Sequence, residues 1–277
     1  MPEFSSIADA SLRAKLQACG RIIRSTGGLV VACSGGVDSG LLLALAAAEL
    51  GTSKVLAAHA CGAIFPRHEQ RLAHDLAERL GVRIVDVPVE PLADPGFVAN
   101  PPDRCYHCKK AIFGGLLELA RREGLPAVAS GANADDTGDY RPGLAAEKEL
   151  GIRQPLMEAG MGKADIRAAV HALGLDAWDT PSAACLASRI PYGQTITRET
   201  LARIDRGEEI LRGTGLTQCR LRDHGAVARI EVLPAEIPTV LANREALASA
   251  LKALGYTFIA LDLEGFRSGS LNRLLGQ

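Results

Sequence analysis

The sequence predicts an α/β protein, an open parallel sheet with helices on both faces, plus a smaller C-terminal α+β domain. Three observations carry this. Short continuous apolar runs alternate with helical patterns from residue 29 to residue 130, as buried parallel strands do when each crosses over through a helix. Glycines stand just past three of those helical patterns, at Gly51, Gly81 and Gly124. Beyond residue 193 the order becomes helix, hairpin, helix and strand, which no longer fits βαβ units. The division is placed after residue 188, giving domains 1–188 and 189–277.

Leu12, Leu16, Ile22 and Ile23 form a helical stripe over 11–26. Leu29–Cys33 reads as a buried strand running into a Ser-Gly-Gly turn, and 38–50 as a helix. The cycle repeats with a strand at 55–59, a helix at 69–80 and a strand at 82–87. A proline-rich loop covers 88–102, a helix 109–123 and a short strand 127–130. The long polar stretch 131–162 precedes a helix at 163–173. Residues 180–193 carry little periodicity and read as a functional loop or linker, and Trp178 beside them as a core residue. A helix at 199–211, a hairpin turning at Asp223-His-Gly225, a helix at 244–254 and a strand at 257–261 build the second domain.

Composition excludes several function classes. The 277 residues are 47% hydrophobic and 23% charged, a soluble globular profile. Lys and Arg total 31 against 32 Asp and Glu, so a general basic surface for nucleic acid is absent. The N-terminal segment lacks the pattern of a secretory signal. The longest apolar stretch, 40–50, is too short to cross a bilayer. A cytoplasmic protein is expected, and its seven cysteines then suggest metal-binding, catalytic or buried thiols before disulfides.

Ser34-Gly35-Gly36-Val37-Asp38-Ser39 lies between a buried strand and a helix. Two glycines allow a ligand close to the backbone, and the helix turns free N–H groups toward the loop. The two serines add hydroxyl donors, so the loop suits phosphate. A carboxylate there would repel phosphate unless a cation bridged them, so Asp38 implies Mg²⁺. No Gly-Lys-Ser/Thr follows, so this is not a Walker loop. In an open α/β sheet ligands bind at the carboxyl ends of the strands, so His59 there is a candidate to touch whatever carries the phosphate. Gly131, Asn133 and Asp136 follow a strand at the same sheet edge and are candidates to touch nucleotide, metal or substrate; an Asx-rich turn is the plainer alternative.

Cys105-Tyr-His-Cys108 is read as a CxxC placed just before a helix, and Cys185 lies in the irregular loop. Zinc, a redox pair or an iron–sulfur cluster could each use the first two. Three thiols on a [4Fe–4S] cluster would leave one iron open to sulfide or to a substrate atom. Cys19, Cys33, Cys61 and Cys219 read as small core residues.

SGGVDS resembles the pyrophosphate loop (PP-loop) of the ATP pyrophosphatases, or adenine nucleotide α-hydrolases. Together with the segments at 100–109, 130–143 and 184–193 and with Arg220-Leu-Arg222, it is similar over nearly the whole chain to the LarE family of ATP-dependent sulfur transferases. The resemblance implies adenylation of a carboxylate of pyridinium-3,5-biscarboxylic acid mononucleotide by ATP, then conversion to a thiocarboxylate for the nickel-pincer cofactor. One branch sacrifices the sulfur of a cysteine at the place of Cys185 and lacks the CxxC. This chain is similar to the other branch, in which Cys105, Cys108 and Cys185 hold a [4Fe–4S] cluster carrying an additional sulfide from an unknown donor. A homo-oligomer is also implied. A substrate with two carboxylates and a phosphate needs cations, for which Arg189, Arg220 and Arg222 are candidates, followed by Arg67 and Arg104, which flank the site in sequence, with Glu231 as ion partner or metal ligand; ordinary strand-face ion pairs are the alternative. Rival readings are a tRNA thiolase, an amide-forming synthetase and a non-catalytic ATP- and zinc-binding module.

Overall fold

A computed structural model describes residues 9–138, 142–175 and 184–267. Trp178, residues 139–141 of the 130–143 motif and the start of the 180–193 loop lie outside the described residues. The chain falls into two compact units, Met1–Pro91 with Cys105–Ala183, and Leu92–Arg104 with Ala184–Gln277. The sequence draws one cut after residue 188; the structure instead groups 92–104 with the second unit. The reason is pairing across some ninety positions: Val98 O accepts from Ile196 N at 2.9 Å and Asn100 O from Gly193 N at 3.0 Å.

In the first unit, Asp9 caps α1 (Ala10–Thr26), its Oδ1 accepting from Ser11 N and Leu12 N, and Gly27 ends it at φ +73°. β1 (Leu29–Ala32), β2 (Val55–Cys61), β3 (Arg83–Pro88) and β4 (Ala127–Ala129) form a four-stranded parallel sheet in the order β3-β2-β1-β4. Register pairs Leu29 with both Val55 and Ala127, and His59 with Asp86. α2 (Val37–Leu50) shows little amphipathic pattern because Leu41, Leu42, Leu43 and Leu45 are all buried. Each contributes about 1.5–3 kcal/mol of burial. On one face of the sheet these leucines share a core with residues of α1, α3 (Arg67–Arg79) and α8 (Lys163–Ala172). On the other, Val30, Leu56 and Val128 meet Phe113 and Leu116. The short helix α4 (Pro95–Val98) belongs to the second unit.

α5 runs from Arg104 to Glu123, five residues longer at its start than the sequence reading from 109. Cys105 and Cys108 therefore lie in its first turn and not ahead of it. Arg104 N bonds Pro101 O, so the helix begins directly behind the Pro-Pro-Asp turn that no helix could enter. The polar stretch 131–162 also holds α6 (Pro142–Glu149) and α7 (Pro155–Glu158).

The second unit places α9 (Arg198–Arg212), α10 (Ile237–Ala242) and α11 (Arg244–Ala253) with a sheet in the order β5-β6-β7. β5 (Cys219–His224) and β6 (Val227–Val232) are antiparallel; β7 (Phe258–Leu261) is parallel to β6. The hairpin is tighter than the sequence reading, with Gly225 in its turn at φ +69° and donating to Asp223 Oδ1 at 2.9 Å. Leu211, Leu221, Val232 and Leu251 centre its core.

Candidate functional site

The glycine loop occupies the turn from β1 into α2. Gly35 sits at φ +77°, where a Cβ would stand 2.7 Å from Leu72 Cβ and 2.9 Å from Ala73 N. Conformation and space both exclude a side chain there. A Cβ on Gly131 would lie 2.9 Å from Ser39 N, so the segment after β4 touches the loop backbone to backbone. The serines knit the loop: Ser39 Oγ donates to Gly36 O at 3.0 Å, accepts from Ser34 N at 3.3 Å and lies 3.2 Å from Ser34 Oγ. Gly36 caps α2 and Val37 opens it.

Asp38 is in the first turn of α2. Its Oδ2 accepts from Lys163 Nζ, while its Oδ1 is buried without a hydrogen-bond partner. Burial pushes its pKa up from the usual range, against the charge and hydrogen bond of Lys163. A half-satisfied carboxylate beside the glycine loop fits a divalent cation. Lys163 was not singled out by sequence; it opens α8 behind Gly162, and Asp135 Oδ2 fixes its backbone N–H at 2.7 Å. Its signal was positional, a lysine at a helix start where a cation is disfavoured.

Asn133 and Asp136 are buried in the turn after β4, where the hydrogen bonds are those of an Asx turn. Asn133 N donates to Asp136 Oδ2 at 3.0 Å and Asp135 N to Asn133 Oδ1 at 3.1 Å. His59 is buried on β2, its Nδ1 3.1 Å from Cys33 O. A carbonyl only accepts, so Nδ1 carries the proton. Burial lowers the pKa of the ring, which leaves Nε2 an unprotonated acceptor at neutral pH. His74 is engaged with Asp86 at 2.9 Å, and Gln70 donates to the same carboxylate.

The first turn of α5 carries Cys105, exposed, and Cys108, buried. Lys109, next in the chain, pairs at 2.9 Å with the buried Glu147, which also accepts from Ser130 Oγ and Gln154 Nε2. Burial works to raise the pKa of Glu147, but Lys109 and these donors hold it below the usual range. Cys185, half-buried, belongs to the second unit. Among the described residues no group of three or more His, Cys, Asp or Glu is placed to hold a metal ion. Burial raises the pKa of the Cys19 thiol to about 12 and those of Cys33 and Cys219 to about 11, as expected of core thiols.

The second unit corrects one expectation. The sequence places Arg189 among the cations that meet substrate, but its guanidinium is fully buried and already occupied. Nε and Nη2 grip Glu208 at 2.7 and 3.0 Å, and Nη1 donates to the carbonyls of Ala184 and Cys185. Glu208, which sequence reasoning missed, is the reason; it faces Arg189 from α9, nineteen residues on. Arg189 therefore organises the loop that carries Cys185. Glu231 is an ion partner, meeting Arg222 at 2.7 Å and Arg229 at 3.0 Å. Arg222 also donates to Ser188 O at 2.7 Å. Arg220 differs: it donates to Cys219 O at 2.9 Å and lies over the Phe266 ring, with no carboxylate in ion-pair reach among the described residues. Burial, then the charge of Arg189, lowers its pKa to about 10.

A family described as NAD synthase matches residues 8–97, the stretch that holds the glycine loop. An uncharacterised protein of Synechocystis sp. is 39% identical over 248 residues, 89% of this chain and 92% of that relative. The pyridinium-3,5-bisthiocarboxylic acid mononucleotide synthase of Lactiplantibacillus plantarum is 38% identical over 247 residues, 89% of this chain and 90% of the relative. An uncharacterised protein of Methanocaldococcus jannaschii is 28% identical over 240 residues, covering 87% of this chain and 91% of its own. With that identity over about nine-tenths of both chains, the chain belongs to the family of the pyridinium-3,5-bisthiocarboxylic acid mononucleotide synthase, the LarE family of PP-loop proteins.

Proposed function

We propose that the protein is an ATP-dependent sulfur transferase acting on pyridinium-3,5-biscarboxylic acid mononucleotide. The observation that carries the reading is Asp38: one buried oxygen without a partner, beside a loop whose Gly35 admits no side chain. In this reading ATP lies with its phosphates on Ser34–Ser39, and Asp38 would hold a Mg²⁺ ion, which would offset the charge of the phosphates. Lys163 exchanges part of its bond to Asp38 for phosphate oxygen. A substrate carboxylate attacks the α-phosphorus, pyrophosphate leaves with its charge held by the loop, and an acyl adenylate results. Sulfur then attacks the acyl carbon and AMP departs. Arg220, a buried cation with no acidic partner among the described residues, is offered to an anionic group of the substrate, and Arg222 is held beside Ser188 by Glu231.

Cys105, Cys108 and Cys185 are proposed as ligands of a [4Fe–4S] cluster, which when bound would present sulfide to the activated carbon. Two thiols three residues apart on one helical turn suit two such ligands. Their presence favours this over a Cys185 that gives up its own sulfur. The sulfide donor is part of the same proposal, as are a cytoplasmic location and a homo-oligomeric state. Among the described residues no helix is long and apolar enough to cross a membrane.

Release of pyrophosphate in the presence of the biscarboxylate nucleotide tests the first step. Asp38→Asn is expected to lower it by roughly 10²-fold or more, the scale of losing one preorganised electrostatic group. Its thermal midpoint should not fall, because a carboxylate whose pKa is raised by folding is a burden once ionised. Undiminished release would overturn the reading. Protein purified without oxygen should hold about four irons with matching sulfide, lost in Cys185→Ala; zinc in their place would indicate a structural module.

A further inference from the structure

Arg104 lies outside the glycine loop and outside the Arg189–Glu208 and Arg222–Glu231 pairs. It is only 5% exposed. Nη1 donates to Asn100 Oδ1 at 3.1 Å, and the guanidinium stacks 4.4 Å above the ring of Tyr192. Nε is buried with no hydrogen-bond partner, and no carboxylate lies in ion-pair reach among the described residues. An amide oxygen and a ring face are dipole and quadrupole, not counter-charge. A guanidinium cannot relieve its burial by losing a proton, as a lysine can. Arg104 also opens α5, where the helix dipole adds further positive potential. Arg189 and Arg222, as deeply buried, are each answered by a glutamate.

The frame around Arg104 is rigid. Asn100 is fully buried and held at φ +54°, and its Nδ2 donates to Ile190 O at 3.3 Å and Pro191 O at 2.8 Å. That network commits Nη1 to Asn100. It leaves the Nε–Nη2 edge, the side of a guanidinium that takes an oxyanion through two parallel bonds.

We propose that Arg104 binds an oxyanion of the substrate, a carboxylate or a phosphate, as the counter-charge its burial lacks. The inference rests on the proposed function and adds a residue to the substrate's site.

Calorimetric titration of the full chain tests it, with pyridine-3,5-dicarboxylate and ribose 5-phosphate as probes and ATP as control. Arg104→Met, which keeps the stem and removes the charge, should weaken one probe at least tenfold and leave ATP within twofold. Arg104→Lys, a charge without the fork, should weaken the same probe less. The probe that is lost identifies the anion. Without ligands, Arg104→Met should melt no lower than wild type. The inference is overturned if both probes bind the Met variant as they bind wild type, if neither binds wild type, or if the Met variant melts markedly lower, since the charge would then be compensated within the fold. Wild type that binds ATP but neither probe overturns this inference alone; wild type that binds no ATP removes the functional reading with it.

Discussion

Arg189→Met removes one half of a fully buried ion pair while keeping most of the side chain's length. The guanidinium meets Glu208 at 2.7 and 3.0 Å. What remains for Glu208 is Leu221 N at 3.1 Å and Arg212 at 3.4 Å, neither a substitute for a two-pronged contact. Leaving one member of a buried pair alone costs about 3–5 kcal/mol. The exposed pair Arg244–Glu245 is the control: at 3.1 Å, but 70% and 87% exposed, its loss should stay within about 0.5 kcal/mol. Urea unfolding at neutral pH reads both changes. Arg189→Met with Glu208→Met should recover most of the loss, because both charges then leave the interior. The pH profile is a second check. Burial works to raise the pKa of Glu208, but Arg189's charge and hydrogen bonds hold it below its ordinary 4.5. A depressed carboxylate contributes stability that is present above the unfolded value and is lost as pH falls through the folded one. The variant's deficit should therefore be greatest at neutral pH and narrow on acidification below about 4.5. A loss below about 1 kcal/mol, or one that ignores pH, would refute the assignment of Arg189 as the buried anchor of the Cys185 loop.

Gly35→Ala meets Leu72 Cβ at 2.7 Å in a left-handed conformation, so it should cost more than about 1 kcal/mol in the same unfolding assay and abolish pyrophosphate release. Survival of release would mean that the loop tolerates a shifted backbone and does not need its present shape. His59 has a pKa lowered by burial, so the native state binds fewer protons than the unfolded one. Its contribution is complete above about 6.5 and lost as pH falls toward the folded value; His59→Gln should flatten that part of the stability profile, and an unchanged slope would place the titration elsewhere.

Much of the fold is legible in local chemistry. Leu29-Val-Val-Ala followed by Ser-Gly-Gly specifies a strand entering a tight turn, and the structure places β1 and the glycine loop there. Gly51, Gly81 and Gly124 stand at or just past the helix ends, each at positive φ. The sequence starts α5 too late because its opening residues, Arg-Cys-Tyr-His-Cys, carry no apolar stripe. Only the turn ahead of it, through Pro101, sets where it begins. The segment 92–104 was misplaced for a different reason. Its partners are residues 190–196, and no periodicity records hydrogen bonds between positions so far apart.

The same division runs through the candidate site. Residue type and short spacing are enough to mark Ser34–Ser39 as a candidate phosphate loop, because glycine conformation and helix N–H groups are local properties. Residue type also marks Arg189, Arg220 and Arg222 as cations, but a cation's use depends on what stands opposite it. Folding sets Glu208 against Arg189 and Glu231 against Arg222, leaves Arg104 and Arg220 without an acid among the described residues, and brings Lys163 to Asp38 across 125 positions of chain. A charge buried with its counter-charge becomes part of the scaffold, and one buried without it carries an uncompensated cost. Burial and partner are long-range quantities, and they come into being when the chain closes on itself.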